Sequence, residues 1–145
     1  MGTIIRNNVF ETNSSSTHSI TIIDCKDKVD KGILLDNNIL YPENLSATYY
    51  DEYHYVLETC TTEQKLALIA HWIKYLDEEN NNDLMIKFEK LFNIKVNSFI
   101  PKFYSDAESG NFYLDYNNFD NSLEYLKNNV IYNNDVKIID QYVEN

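Results

Sequence analysis

Apolar residues change their spacing along this chain, and each change marks a change of element. Residues 3–5 and 18–23 are short β-branched runs that read as strands, with Val9 and Phe10 continuing the first. Residues 33–35 and 39–41 flank Asp36-Asn37-Asn38, a turn-forming group that predicts a hairpin closed by Pro42. From residue 45 the spacing lengthens. Tyr49, Tyr53, Val56 and Leu57 fall on one face at helical period, which predicts a first helix over 45–60. Residues 61–78 carry the longest stripe, with Leu66, Ile69, Ala70, Ile73 and Leu76 on one side and Leu68, Trp72 and Tyr75 widening it. Thr61 and Gln64 stand at capping-box spacing at its start. This is the expected central helix. Asp83 is placed to cap a third, to about Phe92, that buries Leu84, Phe88, Leu91 and Phe92.

After Asn93 the strand pattern returns in pieces: 94–96, 99–100, 112–116, 130–132 and 136–139. A short helix over 121–126 interrupts it, and the turn group Asn133-Asn134-Asp135 splits the last two. Strands, then helices, then strands with a helix describe an α+β domain rather than a strictly alternating one. The expectation is a small mixed or antiparallel sheet packed on a central helical segment, as one domain over 1–145, a monomer or weak dimer.

Composition sharpens this outline. At 43% hydrophobic residues, with 12 Tyr and 7 Phe, the chain is too apolar and aromatic for a disordered one. No apolar run reaches the ~18 residues of a membrane span, and Arg6 and Asn7 interrupt the opening apolar run, unlike a signal peptide. A protein of the host-cell cytoplasm, with no membrane partner, is expected. Cys25 and Cys60 form no ligand motif. Reduced thiols are expected, and the irregular spacing of His18, His54, His71 and these cysteines predicts no metal and no cofactor.

A net charge of −11 argues against direct nucleic-acid binding and suits a partner with a basic surface. The acids are clustered in the sequence: neither 32–64 nor 103–126 contains a Lys or Arg. In the first stretch Tyr50, Asp51, Glu52 and Tyr55 interleave aromatic rings with carboxylates, the composition of an interface that could enter a basic groove. A solvated acidic face is the plainer alternative.

Residues 6–19, RNNVFETNSSSTHS, are the second candidate. Read as a polar loop, they offer a guanidinium at Arg6 and a possible proton-transfer pair in Glu11 and His18. They also offer hydroxyls and backbone donors at Asn13, Ser14, Ser15, Ser16 and Thr17. Arg6, Glu11, Ser15 and His18 would be the working set of a small phosphoryl-transfer or nucleotide-binding protein. A connection whose Ser and Thr side chains bond their own backbone explains the same residues.

The motif R-x-x-x-F-E-T-N-S-S-S-T-H-S resembles the N-terminal signature of a group of uncharacterised proteins of bacteriophages and low-GC Gram-positive bacteria. The residues that carry it are Arg6 and Phe10 through Ser19. The resemblance implies a phage or mobile-element setting and no particular reaction. Together with size and charge, it leads to the expectation of a non-enzymatic acidic protein. Such a protein would bind and inhibit a host factor, such as a defence nuclease, in the manner of anti-CRISPR proteins.

Overall fold

Helix α1, Thr62–Leu76, lies where the long apolar stripe predicts it. The computed structural model describes residues 6–11, 16–24, 34–45, 48–49, 55–76, 81–100, 114 and 116–144. The start of α1 is closed reciprocally. Thr61 Oγ1 accepts from the Gln64 N–H at 3.1 Å, while Gln64 Oε1 accepts from the N–H groups of Cys60 at 2.9 Å and Thr61 at 3.2 Å. One Thr and one Gln thus satisfy donors that a helix start leaves open. Leu66, Ile69, Ala70 and Ile73 are buried, as the stripe requires. So is every other residue from Gln64 to Ile73, including Lys65 and His71, because other elements pack around the helix on several sides.

The larger sheet is antiparallel throughout. It contains β1 (Arg6–Glu11), β2 (Ser16–Asp24), β5 (Thr48–Tyr49), β6 (Tyr55–Thr59) and β8 (Val136–Glu144), in the order β1-β2-β8-β6-β5. The last strand of the chain is therefore the middle strand of the sheet. Ile22, Leu57, Val136 and Ile138 on its inner face are buried. A second, mixed sheet joins β3 (Leu35–Asp36), β4 (Ile39–Leu40) and β7 (Lys95–Val96), with β4 and β7 parallel. Asn37 and Asn38 make the expected turn between β3 and β4 with φ of 51° and 64°, the left-handed pair of a two-residue hairpin.

Helix α2, Asn81–Phe92, packs beside α1. It ends where Asn93 turns left-handed at φ 53° and the Ile94 N–H reaches back to the Glu89 carbonyl at 3.0 Å, a Schellman closure. Helix α3, Phe119–Leu126, buries Phe119, Leu123 and Leu126 and runs on into a π-helical turn, Lys127–Ile131. Lys65 closes this end from below, its Nζ donating to the carbonyls of Val130 at 2.8 Å and Asn133 at 2.7 Å.

The α+β class, the sheets and the central helix agree with the sequence reading; several local expectations do not. The described residues of 45–60 are not helical. They hold β5 and β6, and burial alternates along β6, with Leu57 and Thr59 buried, Val56 half-buried and Glu58 exposed. Tyr and Val suit either period, and pairing with β8 decides for the strand. Residues 6–19 are not an open loop, since β1 and β2 form a hairpin over most of them. Val130 and Ile131 belong to the π-helical turn and not to a strand, held by the Lys65 and Thr62 side chains that bond Val130 and Ile131 carbonyls. Of the strand expected over 112–116, Leu114 forms a bend and Tyr116 opens the 3-10 turn Tyr116–Asn118, while 112, 113 and 115 lie outside the described residues. Cys60 is buried and disulfide-bonded, which corrects the expected free thiols; Cys25, the only other cysteine of the chain, lies outside the described residues.

Candidate functional site

The register of the larger sheet determines which of the sequence candidates can act together. Arg6 pairs with Ile22 and Glu11 with Thr17, so these two positions lie at opposite ends of β1. Five residues of strand separate them by roughly 17 Å. Alternation also puts positions 6 and 11 on opposite faces of the sheet. His18, which pairs with Phe10, shares the face of Arg6 but lies at the other end of the strand. Ser16 and Thr17 open β2, and Asn13, Ser14 and Ser15 lie outside the described residues. The hairpin therefore spreads Arg6, Glu11 and His18 along a strand pair instead of gathering them.

What the register does bring together is the two stretches that stand out in the sequence. Phe10 pairs with His18, His18 with Tyr142, Tyr142 with Tyr55, and Tyr55 with Tyr49. These five positions form one rung across all five strands, with neighbouring strands ~4.8 Å apart. The rung lies at the end of the sheet where β1 and β8 finish and β2 and β6 begin. Glu11 and Glu144 are the last residues of β1 and β8 at that end. β5 ends with Tyr49 and β6 begins with Tyr55 at this end; Tyr50, Asp51 and Glu52, between them in the sequence, lie outside the described residues. β8 makes the junction by inserting between β2 and β6.

One step inward on the same face is Asp140, opposite Ile20 in β2 and Leu57 in β6. It is fully buried and continues the inward row of Val136 and Ile138. Trp72 Nε1 of α1 donates to its Oδ2 at 3.3 Å, which shows that α1 covers this face. The sequence reading missed Asp140. Its signal was available: an acid at the inward phase of an apolar run, two residues beyond Ile138.

Other polar groups have structural tasks. His71, buried on α1, has Nδ1 2.9 Å from the Ala67 carbonyl and meets the Phe99 ring edge-on at 4.9 Å. Lys74 Nζ lies over the Phe99 ring, 5.5 Å from its centroid. Glu58, from the stretch of sequence without bases, pairs at 3.2 Å with Lys137 of β8 on the outer face. An open groove of about 920 Å³ between the starts of α2 and α3 is lined by Asp83, Lys87, Asn118 and Asp120, and Lys87 and Asp120 approach to 3.5 Å there. It contains none of the sequence candidates. Among the described residues no three His, Cys, Asp or Glu side chains group as metal ligands, and no helix is long and apolar enough to cross a membrane.

No protein-family model, no curated protein and no solved structure matches the chain.

Proposed function

We propose that this is a non-enzymatic acidic binding protein of phage or mobile-element origin, which engages a host protein through a basic, nucleic-acid-binding surface and so inhibits it. A defence nuclease is the kind of target that fits. The observation that supports this reading most is the meeting of the two candidate stretches at one end of one sheet. That end combines the Phe10–His18–Tyr142–Tyr55–Tyr49 rung with Glu11 and Glu144 as the last residues of β1 and β8, and Asp51 and Glu52 stand between Tyr49 and Tyr55 in the sequence. Aromatic anchors beside carboxylates, on a chain of net charge −11, are complementary to a surface of Arg and Lys. The spread of Arg6, Glu11 and His18 along β1 and β2 gives the phosphoryl-transfer alternative no comparable support.

The test is capture from a bacterial host lysate, followed by titration of the captured partner at two salt concentrations. Association should slow as salt rises, because the attraction is screened with a Debye length of ~8 Å at physiological ionic strength. Replacing Asp51 and Glu52 together by Lys should weaken binding. Salt-independent association, or full affinity of that double variant, would refute the reading.

A further inference from the structure

We infer that the groove between the end of α1, α2 and β7 is a second binding surface, and that it takes an extended peptide segment bearing aliphatic and acidic side chains. The groove measures about 480 Å³. Met85 and Ile86 of α2, with Val96 and Phe99, give it an apolar lining, and Lys74 from the last turn of α1 stands at its side. Phe99 is buried, and Met85 and Val96 are half-buried. Ile86 is 49% exposed, and Ile100, which directly follows Phe99, is 84% exposed. These two are the only exposed large aliphatic side chains among the described residues, and both stand at this groove. Single exposed apolar residues are ordinary, but two that adjoin an apolar concavity mark a contact surface.

Charge identifies the partner. Residues 84–100 contain Lys87, Lys90 and Lys95 against Glu89 alone, a local balance of +2 within a chain of net charge −11. Lys90 is exposed one turn along α2 from Ile86, on the same face. Lys87 is engaged with Asp120, but among the described residues no carboxylate pairs with Lys74 or Lys90. Glu89 is turned to the strand, where its Oε2 accepts from the Val96 N–H at 2.8 Å. β7 is an edge strand, so this bond closes the donor that an incoming strand would use. A ligand is therefore held by its side chains, with aliphatic groups on the lining and carboxylates on Lys74 and Lys90.

The same charges favour a narrow ligand. A lipid surface or a nucleic-acid duplex would bring a broad anionic field against a chain of −11, and a second copy would bring another −11. A peptide segment reaches the groove alone. Phe99, the ring in the lining, is buried and offers no face on which a base could stack. This surface is separate from the sheet end proposed above and does not depend on it.

The probe is a short synthetic peptide of Leu and Glu residues, titrated into the full-length protein while its backbone amide resonances are followed. Resonances of residues 74, 85–90 and 96–100 should shift, and those of 127–133 should not. Binding should weaken about tenfold in Ile86→Ser. In Lys74→Gln it should weaken and lose part of its salt dependence, and in Lys137→Gln, on the outer face of the sheet, it should be unchanged. Both groove variants replace side chains at the surface, so each should keep the denaturation midpoint of the wild type, and either one alone decides the point if the other fails to fold. No shift at any peptide concentration overturns the proposal. So does equal binding of a peptide with Lys in place of Glu, or with Ser in place of Leu. Shifts of the same resonances when the protein alone is concentrated would assign the groove to a second copy, and shifts with vesicles of anionic phospholipid but not with the peptide would assign it to a membrane surface; either result overturns the peptide.

Discussion

Lys65 and Asp140 are both completely buried and both border α1, yet the two charges are housed differently. Lys65 points at the end of the α3 region and meets two backbone carbonyls within 2.8 Å, acceptors left open by the final turn of a helical segment. Its positive charge lies where the helix dipole is negative, so its task is structural. Asp140 lies on a strand, beside α1 two helical turns beyond Lys65, with the Trp72 indole donating to it. Nothing in strand geometry calls for a carboxylate at that position. The difference lies in what meets the charge: backbone carbonyls at the end of a helical segment for Lys65, and a side chain of the neighbouring helix for Asp140.

The comparison can be broken by substitution, and the largest effects belong to the packed side. Ile69→Ala removes fully buried methyl and methylene groups beside Lys65 and should destabilise the domain by ~2–5 kcal/mol, read from the midpoint of chemical denaturation. Lys65→Met keeps the stem but leaves the Val130 and Asn133 carbonyls without this donor. A loss of roughly 2–4 kcal/mol is expected, from the cost of unsatisfied buried groups, together with faster amide exchange over 127–133. If Lys65→Met were neutral, the structural role assigned to this charge would be wrong.

Smaller effects are expected on the other side. Trp72→Phe removes the indole donor while retaining most of the ring, and should cost about 1–3 kcal/mol if Asp140 depends on it. Gln64→Ala opens the reciprocal cap of α1 and should cost about 1 kcal/mol, with fraying at the helix start. The weakest effect should be at Lys137→Met. Its partner Glu58 is half exposed, so breaking the pair should change stability by less than about 1 kcal/mol. A larger loss there would mean that the outer face of the sheet is better shielded than the exposure of Glu58 indicates.

The legible parts of this protein are those in which neighbours in sequence do the work. Thr61 and Gln64 announce the start of α1, and the apolar stripe announces its buried face. Asn37-Asn38 announces a turn and Asn93 an end, because capping boxes, left-handed Asn residues and helical stripes each act within one or two turns of chain. The misread parts are those in which a distant strand made the choice. Residues 55–59 have aromatic and β-branched side chains compatible with two periods, and β8, some 80 residues later in the chain, supplies the ladder that selects one. The same distance hid the base beside Glu58: a stretch without Lys or Arg in sequence faces Lys137 once β6 and β8 pair. The candidate site followed the same rule. Residue types alone drew attention to 6–19 and to the tyrosines near 50, but pairing with β8 decided that Arg6, Glu11 and His18 spread along a hairpin, that Tyr55 and His18 share a rung, and that Asp140 stands next to them. Helical and turn signals were readable because their partners are a few residues away; strand partners are chosen by burial and register across the whole chain, and only the folded sheet contains that information.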